Sequence, residues 1–385
     1  MKIVADENIP CVEQAFASLG EVSLLPGRGM RAEQVRDADI LLVRSVTRVD
    51  ASLLQGSAVR FVGSATIGFD HVDRDYLQQQ GIGFATAPGS NATSAAEYVV
   101  SALMVLSGQQ GFELAGKTVG IIGCGNVGSR VRRKLSALGM ACLINDPPLQ
   151  ASAGHDDFVT LDKVLQADVV TLHVPLIKEG PHPTVHLINA VALERLKPGA
   201  ILINTSRGAV ADNRALDALL ATRNDLSVVL DVWENEPAIS PSLLQKVNLG
   251  TAHIAGYSYD GKLRGTEMIY RAACDYLARP VQWHAADELE RAASIDLRPH
   301  DSGDVLAVAR EAVLACYDIR EDDARLRATL SLPATGRARA FDRLRKDYPL
   351  RREFSESTVL LHEPAGALAQ LLSALGFELA PNHQL

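Results

Sequence analysis

The stretch K-T-V-G-I-I-G-C-G-N-V-G, residues 117–128, constrains the fold of this chain more than any other segment. An apolar run that predicts a strand leads directly into Gly123, Gly125 and Gly128, spaced G-x-G-x-x-G. The residues that follow, up to Gly139, place apolar side chains at helical spacing. A strand, a glycine turn and a helix in this order are typical of a βαβ unit, whose strands form a parallel sheet.

Strand-like and helix-like segments alternate on both sides of this stretch, which predicts the α/β class. We expect two doubly wound parallel-sheet domains of Rossmann or flavodoxin-like type with a cleft between them, and a small C-terminal α+β domain. Ser94 and Glu97 fit a capping box at the start of a helix that joins the two sheet domains. The glycine-containing stretch 255–265 predicts a loop before a helix at about 266–277.

Composition limits the classes of function. Of the 385 residues, 47% are hydrophobic and 22% charged, as in ordinary globular proteins, and the net charge of −8 argues against general nucleic-acid binding. The five cysteines are scattered without a C-x-x-C pair, which disfavours a disulfide framework or a zinc site. No signal core or membrane-length apolar run occurs. We therefore expect a cytoplasmic protein with no metal, no nucleic-acid partner and no membrane partner.

The glycine turn predicts a dinucleotide cofactor. Its first glycine permits the tight turn, the second lets the backbone approach a pyrophosphate, and the third lets the helix pack on the strand. Free N–H groups at the helix N-terminus favour phosphate. Asp146 ends the next strand-like run, where a carboxylate can bind a ribose 2′-hydroxyl and repels a 2′-phosphate. The prediction is therefore NAD rather than NADP, although Asp146 could instead be a helix-capping or solvated aspartate.

Three charged residues each follow an apolar strand-like run. Arg207 follows A-I-L-I-N-T-S, Glu236 comes shortly after S-V-V-L-D, and His253 follows V-N-L-G-T-A. Because ligands bind at the carboxyl ends of the strands in an open α/β sheet, we expect these side chains to converge. Arginine can grip a carboxylate with two hydrogen bonds, histidine can transfer a proton near neutral pH, and Glu236 can hold the imidazole. Singly each has an ordinary structural explanation, but together they predict hydride chemistry on a hydroxy or keto acid.

The stretches G-C-G-N-V-G, N-T-S-R-G, L-D-V-W-E-N-E-P and A-H-I-A-G resemble those of the D-2-hydroxyacid dehydrogenases over roughly residues 1–280. The resemblance implies that Arg207 binds the substrate carboxylate, that His253 is the acid/base and that Glu236 pairs with it. It also implies a domain division that spacing alone would not give. The expected domains are a substrate domain (1–94 and 256–280) and an NAD-binding domain (95–255). The resemblance to one branch of the family, described next, adds a C-terminal dimerisation domain (281–385), hence a homodimer.

Further stretches, among them V-A-D-E-N-I-P, V-R-S-V-T and A-T-I-G-F-D-H-V-D, resemble a branch of this family that acts on a phosphorylated hydroxy acid. That branch implies substrate contacts from Ser45, Thr66 and Tyr257 beside Arg207. Together with the glycine turn, the resemblance implies cofactor contacts from Gly123, Gly125, Asn126, Val127, Gly128, Asp146, Val174, Pro175, Thr205, Ser206, Arg207, Asp231 and Gly256. From the residues alone, Ser45 and Thr66 could be ordinary turn caps, Tyr257 an exposed loop aromatic, and Arg44 either a phosphate contact or a surface ion pair.

Two other functions stay open. Another D-2-hydroxyacid dehydrogenase, such as a 3-phosphoglycerate dehydrogenase, would carry the same three charged residues, because these recognise only the 2-hydroxy acid end. A non-enzymatic NAD-sensing protein could use the arginine-rich run 337–345 as a nucleic-acid or protein contact. Asp342 and Asp347 instead favour a solvated helix face for that run.

Overall fold

A computed structural model describes residues 1–153, 158–289, 292, 294–297, 304–361 and 366–381. The chain divides into two compact units, Met1–Asn91 with Ser258–Arg291 and Ala92–Tyr257 with Ala292–Leu385. The C-terminal segment thus belongs to the same unit as residues 92–257, whereas the sequence predicts a separate third domain. The three-domain division and its boundaries stay a prediction, and parts of the expected domain 281–385 lie outside the described residues.

The secondary structure alternates as expected for the α/β class. The strands are β1 (Lys2–Asp6), β2 (Glu21–Leu25), β3 (Ile40–Val43), β4 (Phe61–Ser64), β5 (Gly83–Ala85), β6 (Thr118–Ile122), β7 (Ala141–Asn145), β8 (Val169–Leu172), β9 (Ile201–Asn204), β10 (Ser227–Leu230), β11 (Leu249–Gly250), β12 (Ile295–Leu297), β13 (Thr358–Leu361) and β14 (Glu378–Pro381). The α-helices are α1 (Val12–Phe16), α2 (Ala32–Val35), α3 (Ala51–Leu54), α4 (Arg74–Gln79), α5 (Ala92–Gln110), α6 (Asn126–Ala137), α7 (Pro147–Ala153), α8 (Leu161–Val164), α9 (Ala190–Glu194), α10 (Asn213–Leu219), α11 (Pro241–Lys246), α12 (Tyr259–Tyr276), α13 (Val305–Cys316), α14 (Ile319–Ala328), α15 (Ala334–Lys346) and α16 (Ala367–Leu375). Short 3₁₀ helices span Gly208–Val210, Ala285–Glu288, Thr329–Ser331 and Phe354–Glu356. Within the described ranges, no helix combines the length and the apolar character needed to cross a bilayer.

The first unit is built on a five-stranded parallel sheet in the order β2-β1-β3-β4-β5. Strands β3 and β4 are buried along their whole length, as expected for parallel strands covered on both faces. Helix α12 packs on β4 so closely that a Cβ on Gly63 would lie 3.3 Å from the Cβ of Ile269. This unit therefore has the doubly wound architecture that the sequence predicts.

The predicted loop over 255–265 is wrong from Tyr259 onward, because α12 already begins there. The Ser258 hydroxyl caps this helix by accepting the Gly261 N–H at 2.9 Å. A Cβ on Gly261 would lie 3.1 Å from the Cα of Asn91, and one on Gly265 would lie 3.2 Å from the Ala65 carbonyl oxygen. These glycines thus serve close helix packing, which a sequence pattern does not distinguish from loop formation.

The second unit contains a six-stranded parallel sheet in the order β11-β10-β9-β8-β6-β7. The strand order reverses between β6 and β8. From β6 the next strand, β7, is added on one side of the sheet, and β8 to β11 are added on the other side. In doubly wound sheets this reversal, at the carboxyl ends of the strands, is where ligands bind. The fold therefore places the glycine turn after β6 at the expected ligand-binding edge.

The C-terminal segment forms a three-stranded parallel sheet, β12-β13-β14, whose helices α13 and α16 pack on α5 and α6. Buried charges strengthen this attachment. The Lys134 ammonium donates to the Leu375 carbonyl and lies 3.4 Å from Glu97 Oε1, which also accepts the Phe354 N–H at 3.0 Å. Burial raises the pKa of the Glu97 carboxyl to about 7, against the opposing charge of Lys134. The predicted Ser94–Glu97 capping box is wrong, because α5 begins earlier and Glu97 instead binds Lys134 of α6 and the Phe354 N–H of the C-terminal segment.

Candidate active site

The three glycines of the turn have the separate structural roles that the sequence predicts. Gly123 has a φ of +87°, and a Cβ there would lie 2.8 Å from the His173 carbonyl oxygen. A Cβ on Gly128 would overlap the Gly123 carbonyl oxygen, which means that α6 packs directly against the end of β6. The Cβ position of Gly125 has no atom within 4 Å, which leaves room beside the backbone at the start of α6. This open cradle next to free helix N–H groups fits a pyrophosphate.

Two neighbours of these glycines in the predicted cofactor set lie at the start of the same helix. Asn126 is exposed at the first position of α6, and the half-buried Val127 packs against the hydrophobic core. Asp146 follows β7, and its carboxylate accepts the Cys124 N–H at 2.8 Å and the Leu149 N–H at 3.0 Å. The structure thus brings Asp146 to the glycine turn and also makes it the cap of α7. Its contact with a ribose stays a prediction.

The exit of β8 holds a histidine that the sequence analysis did not single out. His173 lies between the hydroxyls of Thr171, 2.9 Å from Nε2, and Thr205, 3.2 Å from Nδ1. Burial lowers the pKa of His173 to about 3, so this ring is neutral at neutral pH. Val174 lies beside Gly123, at 2.8 Å from the Cβ position there, and the Pro175 carbonyl accepts the Thr184 hydroxyl at 2.6 Å. His173 could have been identified from the sequence, because it directly follows a buried apolar strand.

The loop after β9 fixes the backbone of Arg207. Asn204 at the end of the strand accepts the Ser206 N–H at 3.0 Å and its hydroxyl at 2.8 Å, and donates to the Arg207 carbonyl at 3.0 Å. Arg207 Nη1 donates to the Ser206 carbonyl at 2.7 Å. A Cβ on Gly208 would overlap the Trp233 backbone, so this loop packs directly on the loop that follows β10. The predicted residues Ser206 and Arg207 are therefore positioned by the asparagine of N-T-S-R-G.

His253 and Glu236 form a directly hydrogen-bonded pair. His253 Nδ1 lies 2.7 Å from Glu236 Oε2, and the other carboxylate oxygen, Oε1, accepts the Trp233 N–H at 2.9 Å. The two side chains are 31% and 20% exposed, so the pair is accessible but not fully solvated. Burial opposes ionisation of Glu236, but the adjacent His253 and the hydrogen bonds outweigh it, and the pKa of Glu236 is lowered. An ionised carboxylate that orients a histidine is an arrangement that suits proton transfer by the imidazole.

Asp231 organises the backbone around His253. Its buried carboxylate accepts the Ile254 N–H at 2.7 Å, the Ala255 N–H at 2.9 Å and the Thr251 hydroxyl at 2.7 Å. Burial raises the pKa of Asp231, although these donors and the nearby His253 favour its charged form. The residue was predicted at the nicotinamide end of a cofactor, and that role stays a prediction.

The two other predicted residues of this region lie in the turn after Ala255. Gly256 is half-buried there, and the Tyr257 N–H donates to the Ile254 carbonyl at 2.8 Å. The Tyr257 ring packs edge-on against Tyr348, with ring centroids 5.7 Å apart. The alternative of an exposed loop aromatic is therefore wrong for Tyr257, because the C-terminal segment packs against it.

A second polar cluster in this unit escaped the sequence analysis. His186 Nε2 lies 2.7 Å from Glu234 Oε1, and Asp212 completes a group whose ligand-type atoms lie within 4.8 Å of one another. Asn213 and Glu234 exchange two hydrogen bonds, of 2.9 and 3.0 Å, and Asn213 also donates to the Gly208 carbonyl at 3.3 Å. These bonds connect the loop next to Arg207 with the loop that carries Glu236. The sequence feature that could have identified this cluster is Glu234, the first of the two glutamates in W-E-N-E-P.

The remaining predicted residues lie in the first unit. Ser45 is exposed after β3, next to Arg44, whose Nε lies 3.1 Å from the buried Asp6 carboxylate. The Thr66 hydroxyl lies 2.8 Å from that of Ser64 and donates to the Gly68 carbonyl at 3.1 Å. Arg44 forms an ion pair, but with a buried partner rather than at the surface as expected, and a phosphate contact of Arg44 and substrate contacts of Ser45 and Thr66 stay predictions.

Comparisons with known proteins agree with this geometry. Residues 91–255 match the NAD binding domain of the D-isomer specific 2-hydroxyacid dehydrogenases, and residues 289–376 match a domain of unknown function. The chain is 48% identical to an erythronate-4-phosphate dehydrogenase from Chromohalobacter salexigens over 98% of each chain. It is 53% identical to one from Salinibacter ruber over 93% of this chain and 94% of the relative.

Among solved structures, the chain resembles an NAD⁺-bound 3-phosphoglycerate dehydrogenase from Entamoeba histolytica, with 25% identity and a TM-score of 0.62. That likeness covers 72% of this chain and 95% of the other. Identity close to one half over nearly the full length establishes the family, and the matched domain establishes NAD as the cofactor. The chain therefore belongs, with the erythronate-4-phosphate dehydrogenases, to the NAD-dependent D-isomer specific 2-hydroxyacid dehydrogenases.

Proposed function

We propose that this chain oxidises 4-phospho-D-erythronate to (R)-3-hydroxy-2-oxo-4-phosphooxybutanoate with NAD⁺, as a step of pyridoxal 5′-phosphate (vitamin B6) biosynthesis. The observation that carries the proposal is the 47–53% identity, over nearly the full length, to proteins named erythronate-4-phosphate dehydrogenase. The hydrogen-bonded His253–Glu236 pair, within the same compact unit as Arg207 and the glycine turn, supports it.

In this reaction Arg207 binds the substrate carboxylate, because a permanently charged planar fork matches two carboxylate oxygens. The hydroxyl at C2 loses its proton to His253 while the hydrogen on the same carbon leaves as hydride, so that the C–O single bond becomes a carbonyl. NAD⁺, when bound, supplies the hydride acceptor. Since Nδ1 of His253 pairs with Glu236, Nε2 is the nitrogen that takes the proton.

Glu236 stabilises the imidazolium that forms in this step. The lowered pKa of its carboxyl, which results from the His253 contact despite burial, keeps it ionised at neutral pH. Asp231 holds the backbone after His253 through the N–H groups of Ile254 and Ala255. The glycine turn, Asp146 and the β8 exit at Val174 and Pro175 would hold the cofactor, and Asp146 would bind its ribose.

The finer statements on assembly and location also belong to this proposal. We infer a cytoplasmic homodimer that associates through the C-terminal segment, where Leu350 is 74% exposed and Leu332 40% exposed. Sedimentation at several concentrations tests this assembly.

A substrate panel tests the activity itself. Reduction of NAD⁺, followed by the absorbance of the reduced nicotinamide, is compared for 4-phospho-D-erythronate, D-erythronate, 3-phospho-D-glycerate and D-lactate. We expect the highest kcat/KM for 4-phospho-D-erythronate, and a preference for NAD⁺ over NADP⁺ with every acid that reacts. A higher kcat/KM for 3-phospho-D-glycerate would assign the chain to the alternative activity within the same family.

A further inference from the structure

The helix α15 of the C-terminal segment extends a charged side chain to the candidate active site. This helix lies within the region that matches a domain of unknown function. The Arg345 guanidinium carbon lies 5.7 Å from the centroid of the Tyr257 ring, within the range of a cation–π contact. Tyr257 follows His253 by four residues, so Arg345 lies beside the segment that carries the proposed proton acceptor. The prediction of a solvated face for the run 337–345 is wrong at this residue.

Arg345 is only partly satisfied by its surroundings. Its side chain is half-buried, and its Nε atom is buried without a hydrogen-bond partner. An arginine stays charged at all relevant pH values, and a buried N–H group without a partner destabilises the folded state. The site therefore holds a permanent positive charge, and the Nε–H group of that guanidinium lacks a hydrogen-bond acceptor.

The nearby carboxylates do not account for this donor. Glu236 and Asp231 both act electrostatically on Arg345, but each already accepts hydrogen bonds from other groups. Glu236 is held by His253 and the Trp233 N–H, and Asp231 by Thr251 and two backbone N–H groups. These carboxylates and the hydrogen-bonded Tyr257 hydroxyl stabilise the charge of Arg345, but none of them is a partner of its Nε atom.

We propose that Arg345 binds the phosphate group of the substrate, and that the C-terminal segment thereby selects the phosphorylated acid. The inference rests on the proposed function, in which Arg207 takes the carboxylate and the other end of the substrate carries a second anion. A guanidinium fork matches phosphate oxygens, and the Tyr257 ring contacts both Arg345 and Tyr348. The matched domain of unknown function then has a direct part in substrate recognition.

The test compares two substrates in three variants. Arg345→Gln removes the charge, Arg345→Lys keeps the charge without the fork, and Arg343→Gln removes an exposed arginine from the same helix as a matched control. For 4-phospho-D-erythronate we expect Arg345→Gln to lower kcat/KM about 10- to 100-fold, mainly through KM. For D-erythronate we expect less than about a threefold change, because the contact that is lost is absent there. Arg345→Lys should fall between wild type and Arg345→Gln, and Arg343→Gln should match wild type.

An equal loss with both acids would overturn the proposal, since it would mean that Arg345 acts only through Glu236 and His253. Unchanged kinetics with both acids would overturn it as well. If Arg345→Gln does not fold, as judged by circular dichroism, Arg345→Lys is used instead. The proposal then requires that kcat/KM falls more for 4-phospho-D-erythronate than for D-erythronate. The wild-type panel separates the two ideas: no turnover of 4-phospho-D-erythronate refutes the proposed function, whereas turnover with an unchanged ratio in the variants refutes only this inference.

Discussion

In both main sheets of this chain the strand order reverses beside the first strand of the sheet, but the residues at the two reversal points differ. In the first unit the order reverses between β1 and β3, and in the second between β6 and β8. At the first point Asp6 and Arg44 face each other at 3.1 Å, and the Asp6 carboxylate is fully buried. At the second point the chain passes through the glycine turn, and the position beside Gly125 is open.

This difference teaches that the topology only marks where a ligand can bind, and the residues decide whether one does. An arginine and an aspartate at the reversal point satisfy each other and occupy the space. Glycines leave the space open and present backbone N–H groups to it, which favours an anionic ligand such as a pyrophosphate. We therefore expect substitutions at the ligand-binding edge of the second sheet to change activity, and those at the reversal point of the first sheet to change stability.

The largest effect is expected for His253→Ala, at the carboxyl edge of the second sheet. Loss of the proton acceptor should lower turnover about 10²- to 10⁴-fold, because general-base catalysis contributes that much. NAD binding, measured by calorimetry, should persist, since the glycine turn is untouched. His284→Ala, which removes a half-exposed histidine of the first unit, is the control and should retain wild-type turnover. Turnover near the wild-type value in His253→Ala would remove this residue as the proton acceptor.

The next largest effect is expected for Arg44→Leu in the first unit. The substitution leaves the buried Asp6 carboxylate without its charged partner, although the Asn8 N–H still donates to it at 2.9 Å. Because Arg44 itself is 18% exposed, we expect a loss of about 2–3 kcal/mol in the free energy of unfolding, below the range for a fully buried pair. Denaturant unfolding measures this loss. The matched control is Arg60→Leu, which removes the more exposed ion pair between Arg60 and Asp39.

One outcome of that experiment would break the comparison between the two sheets. If Arg44→Leu kept its stability but lost activity with 4-phospho-D-erythronate and not with D-erythronate, the reversal point of the first sheet would also serve a ligand. Arg44 would then be the phosphate contact that the sequence left open, and its pairing with Asp6 would be secondary.

The features that could be predicted from the sequence are those that depend on short stretches of residues, namely the strands, the glycine turn and the residues that directly follow the strands. The apolar runs before Gly123, Arg207 and His253 became strands, because continuous apolar segments suit parallel strands buried on both faces. The spacing of the glycine turn fixed its geometry, since each glycine meets a close backbone contact or an open space. The pairing of His253 with Glu236 followed from their positions after neighbouring strands β10 and β11.

Contacts between distant segments could not be predicted in this way. Arg345 meets Tyr257 across 88 residues, and Lys134 meets the Leu375 carbonyl across 241, so no local periodicity records either contact. The same limit explains Glu97, which forms a plausible capping box with Ser94 but binds the C-terminal segment instead. A polar residue near a helix start has several possible partners, and only the packing of the remote segment selects one.

The smallest effect is expected for Asp146→Asn, which tests whether the carboxylate next to the glycine turn does more than cap α7. Asparagine keeps the cap on the Leu149 N–H, but its amide has a single oxygen and cannot also accept the Cys124 N–H, so we expect a modest loss of stability. The negative charge is lost, which weakens the bond to a ribose 2′-hydroxyl and removes the repulsion of a 2′-phosphate. We expect the preference for NAD⁺ over NADP⁺, measured as the ratio of kcat/KM, to narrow about five- to tenfold.

Asp73→Asn is the counterpart in the first unit, because Asp73 caps α4 through the Tyr76 N–H at 3.0 Å, as Asp146 caps α7 through Leu149 at 3.0 Å. Both aspartates cap a helix through the N–H three residues further on, and Asp146 in addition accepts the Cys124 N–H of the glycine turn. If both variants leave the cofactor preference unchanged, Asp146 is a cap like Asp73. If only Asp146→Asn narrows it, the same capping aspartate has acquired a ligand because it lies beside the open glycine turn.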